Sequence, residues 1–243
     1  MKQYATMTLI FGVMLLTSCS RKSKTATLPT PTAFGAAIVE SSGGKQLAQT
    51  GTFLPQPLAV QVNDEHGTAV TGALVRFEAA PGVSFDPPFS LTDSSGQVTT
   101  NVTLGAMPGR YQITAFALDK SQKRVELKIE ETALSYQQSL GRHLNDQYCD
   151  RCHNAESTVE RVSNYDNLEV KPHAFTEGDT MNKISDADLT AIISYGGPAI
   201  NKSALMPAWG NTMSKSDIRA LIAYIRAASD PPSRSAGPVY GAP

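Results

Sequence analysis

The chain is predicted to hold two folded units of different class, an all-β sandwich followed by a small all-α domain. Two observations predict this. Apolar residues recur with a period of two from about Ala33 to Glu130, where clusters of Gly, Pro, Asn and Asp break the chain at strand-like spacing. From about Glu131 to Ser229 the period becomes that of a helix. The flanking stretches, 20–32 and 230–243, have little to bury and are expected to be a tether and a disordered tail.

At the start of the chain, Lys2 precedes the apolar run Met7 to Leu16, far shorter than the roughly 20 residues that cross a bilayer. Residues 1–19 therefore read as a signal peptide. The run leads into Leu16-Thr17-Ser18-Cys19, which resembles the lipobox of bacterial lipoproteins; an ordinary small-residue cleavage site near a cysteine is the alternative. The resemblance implies an exported chain, cleaved before Cys19 and anchored to a membrane by lipid on that residue. Ser20, where sorting signals of the inner membrane place Asp, resembles lipoproteins of an outer membrane.

The formal net charge of -1 offers no concentrated excess of Lys and Arg, which sets nucleic acid aside as a partner. Besides Cys19 the cysteines are Cys149 and Cys152. In an exported protein such a pair is a disulfide, part of a metal site or a point of cofactor attachment.

In the period-two region, Leu58, Val60 and Val62 alternate before the turn Asn63-Asp64-Glu65-His66-Gly67, and Val75 and Phe77 alternate after it. Val98, Thr100, Val102 and Leu104 share a face after Asp93-Ser94-Ser95-Gly96, as do Tyr111, Ile113, Ala115 and Ala117 after Pro108-Gly109. Several strands at this spacing make a sandwich. The stretches PLAVQVNDEHGTAVTGALVRFEA, LTDSSGQVTTNVTLG and GRYQITAFA resemble the bacterial immunoglobulin-like domains of invasins and intimins. That resemblance implies an immunoglobulin-like β-sandwich over 33–130. With His66 in a turn and the carboxylates scattered through loops, it reads as a spacer or adhesion module without chemistry.

In the helical region, Leu140, Leu144 and Tyr148 recur every fourth residue, with Gly141 beside them, so one helix runs up to Cys149. A second is predicted from Asp186 to Tyr195, with Ser185 as N-cap, Asp188 three residues on, and Gly196-Gly197-Pro198 as the stop. A third runs from Lys215 to about Ala228, capped by Ser214 with Asp217, and carries Ile218, Leu221, Ile222 and Ile225 on one face. His143 falls on the solvent side of the first helix, and His173 falls in a loop.

Chemistry concentrates in Cys149-Asp150-Arg151-Cys152-His153, a C-x-x-C-H sequence of the kind that attaches c-type haem. Two thiols with two residues between them lie on one short turn and match the two haem vinyl groups, and the next residue, His153, is left under the iron. Zinc would need two further ligands, which His143 or His173 could supply only as nitrogens. A thioredoxin-like pair would need a strand-helix-strand context.

For the opposite side of the iron, Leu205-Met206-Pro207-Ala208-Trp209-Gly210 offers the thioether of Met206 on a loop stiffened by Pro207. Met181 and Met213 compete, and Met206 as a mere core filler is the bland alternative.

The stretch from about Ala133 to Ala228 resembles a small class I cytochrome c domain, and ISYGGPAINKSALMPAWGNTMSKSDIRALIAYI is especially similar to the C-terminal half of that family. Gly141, Leu144 and Tyr148 match its first helix, and Leu221, Tyr224 and Ile225 match its last. The family often has Gly just after the motif histidine, where this chain has Asn-Ala-Glu-Ser-Thr. The resemblance implies a carbonyl partner for the other ring nitrogen of His153, for which Pro172 is the candidate, and either a haem propionate contact or an edge-covering role for Trp209.

The expected whole is a helical haem domain over 131–229 behind a sandwich, carrying one covalent haem c with His153 and Met206 on its iron. It is expected to pass single electrons between redox protein partners without substrate chemistry. Two rivals remain: a haem protein with an open iron site acting on peroxide or sensing a gas, and an adhesion or docking lipoprotein with accessory haem.

Overall fold

A computed structural model describes residues 27–154, 162–231, 233 and 239–240. The expected signal peptide, Cys19 and most of the tether lie outside the described residues, as does the segment 155–161 that follows the C-x-x-C-H motif. Among the described residues no helix is long and apolar enough to cross a membrane.

Residues 37–134 form nine strands: β1 (Ala37–Ser42), β2 (Leu47–Gln49), β3 (Leu58–Asn63), β4 (Leu74–Glu78), β5 (Ser84–Asp86), β6 (Phe89–Leu91), β7 (Gln97–Thr103), β8 (Gly109–Leu118) and β9 (Arg124–Leu134). One sheet runs β1-β3-β7-β5 and the other β2-β9-β8-β4-β6. The inward faces are the alternating residues that the sequence marks: Leu58, Val60, Val62, Val75, Val98, Val102, Leu104, Ile113 and Ala115 are all buried. The two Asp turns work as their composition requires. The Asp93 carboxylate accepts from the backbone N–H groups of Ser95 and Gln97, and Asp64 does the same for His66 and Thr68.

Two features depart from the sequence reading. Strand β9 carries the sandwich through Leu134, four residues beyond the expected boundary at Glu130, because Ile129, Glu131 and Ala133 keep pointing inward against Tyr111 and its neighbours. The tail is also not wholly without structure. Val239–Tyr240 (β10) pair in parallel with Arg110 and Tyr111, and the Tyr240 ring stacks on Tyr111 at 4.8 Å. The N-terminal half of β8 has room for this strand because β4 pairs only with Thr114–Phe116.

The chain enters and leaves the sandwich at opposite ends. Thr32 and Ala33 donate their N–H groups to Gly72, which lies toward the Leu118 end of β8, while β9 exits at Leu134, beside Gly109. At ~3.3 Å per residue the ten-residue β8 separates these ends by about 30 Å.

The helical domain comprises α1 (Tyr136–Tyr148), α2 (Asp150–His153), α3 (Gly178–Met181), α4 (Asp186–Tyr195) and α5 (Lys215–Ala228). The bounds and caps of α4 and α5 agree with the sequence: Ser185 accepts from Asp188 N–H, and Ser214 forms a reciprocal capping box with Asp217. Ser135 and Gln138 form a further box at the start of α1. The expected apolar face of α1 is only half-buried at Leu140, Leu144 and Tyr148, and the fully buried residues are Gln138, Gly141 and Asn145. The cause is the crossing with α5. A Cβ on Gly141 would lie 2.0 Å from the Ala220 carbonyl oxygen, so the two backbones meet there and rotate the contact stripe toward the glycine.

The core of this domain gathers Cys149, Met181, Leu189, Ile193, Met213, Ile218, Leu221, Ile222 and Ile225. Arg226, buried in the last turn of α5, ties the pieces together. Its guanidinium donates to the carbonyls of Met181 and Ile184 and to the Asp186 carboxylate. Contacts to the sandwich come from Arg142, which donates to the Leu47 carbonyl, and from the Lys45–Asp230 ion pair at 2.7 Å.

Candidate haem site

Cys149 closes α1, and α2 begins one residue later, so both motif cysteines and His153 ride on one short turn. Cys152 and His153 donate their N–H groups to the Cys149 carbonyl, which holds that turn rigid. Neither Cys149 nor Cys152 is in a disulfide. Burial, with Asp150 adding to it, pushes the Cys149 thiol up to about 12, so it is held as a protonated thiol. Among the described residues no cluster of three or more His, Cys, Asp or Glu side chains is placed to hold a metal ion.

The His153 ring is fixed on two sides. It stacks on Phe175 with centroids 4.6 Å apart, and its Nδ1–H donates to the His173 carbonyl oxygen at 2.9 Å. This partner corrects the expectation of Pro172 by one residue. The correction could not be read from sequence, because which carbonyl of a Lys-Pro-His-Ala turn faces inward depends on the path of the whole loop. With Nδ1 committed as donor, Nε2 carries the free lone pair. Burial holds the ring below its ordinary value and therefore neutral, the form that coordinates iron.

The loop beyond α4 presents Met206. Gly196, at φ +77, ends the helix, and the Gly197 N–H donates to the Met206 carbonyl at 3.0 Å. A Cβ on Gly196 would meet the Met206 oxygen at 2.7 Å, so two adjacent glycines let this loop lie flush against the end of α4. Met206 is half-buried and stands outside the apolar core, whereas Met181 and Met213 are buried at 4% and 5% within it. Trp209 packs on Tyr148, centroids 5.1 Å apart, joining this loop to the end of α1. A groove of about 460 Å³ between α1, α4 and α5, lined by Gln138, Asp186 and Arg219 among others, contains none of these residues.

Two thiols on one turn and a neutral imidazole with its second nitrogen engaged are donor types that a c-type haem uses. Residues 137–225 match the family described as cytochrome C oxidase, cbb3-type, subunit III. These residues form a cytochrome c domain. The family implies haem c, and the cytochrome c domain opens in α1 and closes in α5, the two helices that cross at Gly141.

No curated protein matches the chain. Among solved structures, the D00-D0 domain of intimin is similar at 15% identity over 44% of this chain and 50% of that one, with a TM-score of 0.32. Invasin, a bacterial integrin-binding protein, is similar at 18% over 40% and 19%, TM-score 0.32. The Yersinia pseudotuberculosis adhesin InvE is similar at 15% over 42% and 32%, TM-score 0.31. The chain thus spans half or less of the length of these structures, and its β-rich N-terminal region resembles their immunoglobulin-like domains.

Sequence reasoning missed Phe175, Glu177 and Arg226. For Arg226 a signal existed: it follows Ile222 and Ile225 on the buried side of α5, where a charge needs a partner. The i,i+4 spacing of His173 and Glu177 was the other usable hint.

Proposed function

We propose that this chain is a membrane-anchored mono-haem cytochrome c that passes single electrons between redox protein partners. Cys149 and Cys152 would hold the porphyrin as thioethers, and His153 Nε2 and the Met206 sulfur would supply the protein ligands to its iron. When bound, the haem supplies a one-electron couple, and a Met/His pair favours ferrous iron. The observation that carries this reading is the bond from His153 Nδ1–H to the His173 carbonyl, which leaves Nε2 free beside two unpaired thiols.

The chain's own residues do the rest. Phe175 and the His173 carbonyl orient the imidazole, and the loop held by Gly196 and Gly197 positions the thioether. The lipobox-like stretch ending at Cys19 supports anchoring by lipid on the outer face of a membrane, toward the periplasm and at the outer membrane in a two-membrane cell. With the tether arriving at one end of the sandwich and the haem domain leaving from the other, the sandwich acts as a spacer that stands the haem off the membrane.

The test is direct. Produced with working haem-attachment machinery, the protein should gain the mass of one porphyrin that survives denaturation, with a low-spin spectrum when reduced. The oxidised form should show a Met-to-iron charge-transfer band that Met206→Ala abolishes. Colourless protein of unshifted mass overturns the reading, and a high-spin spectrum in the unaltered protein moves it to an open iron site.

A further inference from the structure

The carbonyl that grips His153 belongs to a peptide unit whose other end is gripped by a carboxylate. The His173 oxygen accepts from His153 Nδ1 at 2.9 Å, and the N–H of the same peptide, that of Ala174, donates to Glu177 Oε1 at 3.2 Å. In a trans peptide the N–H and C=O point in opposite directions, so Glu177, the peptide and the imidazole form one hydrogen-bonded line. The other carboxylate oxygen, Oε2, accepts from His173 Nδ1 at 2.9 Å, and the Glu177 N–H donates to the Ala174 carbonyl at 3.0 Å. The turn 173–177 is therefore closed on itself around this one side chain. It is also anchored from behind, because Asp230 donates its N–H to the Thr176 carbonyl and accepts from the Gly178 N–H.

We infer that Glu177 is a positioning residue for the haem iron: through the His173–Ala174 peptide it fixes and polarises the carbonyl bonded to His153, and so lowers the reduction potential. The inference rests on His153 being an iron ligand, as proposed above. A carboxylate at the N–H end of a peptide strengthens its carbonyl as an acceptor, because hydrogen bonds in a chain polarise one another. A stronger acceptor at Nδ1 makes Nε2 a stronger donor, which favours ferric iron.

The experiment measures the midpoint potential of the haem-loaded full chain with Glu177→Ala and Glu177→Gln, at low and high ionic strength. Both variants should raise the potential, Ala more than Gln, with the reduction equilibrium moving about three- to tenfold, at most about 59 mV for one electron. The rise should persist in salt, since a direct effect of an exposed charge on the iron would be screened. The proton on His153 Nδ1, read by NMR of the reduced form, should move upfield and exchange faster in both variants. His173→Ala keeps the carbonyl and the Ala174 bond and should shift the potential less than Glu177→Ala. An unchanged potential, or a rise that vanishes in salt, overturns the inference while leaving the haem reading in place. Loss of His153 ligation in the unaltered protein overturns both.

Discussion

Glu131 is a carboxyl group with no exposed surface inside the sandwich, and the residue scale is where its consequences lie. One oxygen accepts from the Gln46 N–H at 2.7 Å, and the other has no partner among the described residues. Burial, opposed in part by that one bond, pushes the group from an ordinary 4.5 up to about 8. Between those values the folded chain holds one proton more than the unfolded chain, so stability falls as pH rises through that window and is level outside it. Glu131→Gln should therefore match the unaltered protein near pH 4 and be more stable at pH 9, by on the order of 5 kcal/mol. Thermal melts at the two pH values check this, and an equal difference at both would refute it. The Lys45–Asp230 pair is the counter-example, since both side chains are exposed. Lys45→Ala should leave the melting temperature unchanged, because exposed ion pairs are screened by water and salt.

Helices α1 and α5 meet backbone to backbone, so the element scale turns on very small side chains and on one large one. Gly141→Ala places a methyl group against the Ala220 carbonyl and Tyr224 Cβ, both inside van der Waals contact. The helices must part, at a cost of about 1 to 3 kcal/mol. Denaturant unfolding should show the loss, and the haem spectrum should broaden as α1 moves Cys149. Arg226→Ala acts on a different joint. It leaves the Ile184 carbonyl without its Arg226 donor and the Met181 carbonyl with only the 3.3 Å bond from the Ile184 N–H, at the junction of α3, α4 and α5. Asp186 is largely exposed and returns to water cheaply, so the expected loss of about 2 kcal/mol comes from the stranded Ile184 carbonyl and the weakened bonding of the Met181 carbonyl.

On the scale of the whole molecule, the two domains are joined by a direct strand-to-helix passage at Leu134–Tyr136 and by a few polar contacts from the 45–47 segment. The tail adds a return connection, with Tyr240 stacked on Tyr111 of the sandwich. Ending the chain at residue 238 should lower the unfolding transition of the sandwich by about 1 kcal/mol, the worth of one aromatic pair, and leave the haem absorption untouched. Differential scanning calorimetry alongside the visible spectrum separates the two effects. Deleting 33–134 is the larger test of the spacer reading: electron exchange with a soluble partner should persist, and exchange with a partner reached only about 30 Å from the membrane should fail.

Local pattern was enough for much of this protein. Alternation at Val98, Thr100, Val102 and Leu104 marked a strand and its inward face, and Ser185 with Asp188 and Ser214 with Asp217 marked helix starts, because caps and periodicity depend on neighbours in the chain. The C-x-x-C-H motif was legible for the same reason, its chemistry being packed into five consecutive residues. What the tertiary structure alone decided are relations between distant segments. Gly141 draws the crossing point of α1 away from its leucines, His173 rather than Pro172 turns its carbonyl toward His153, and Glu177 grips the far side of that peptide. Each depends on where a loop or helix arrives in space, and a one-residue difference in that arrival changes which group makes the bond.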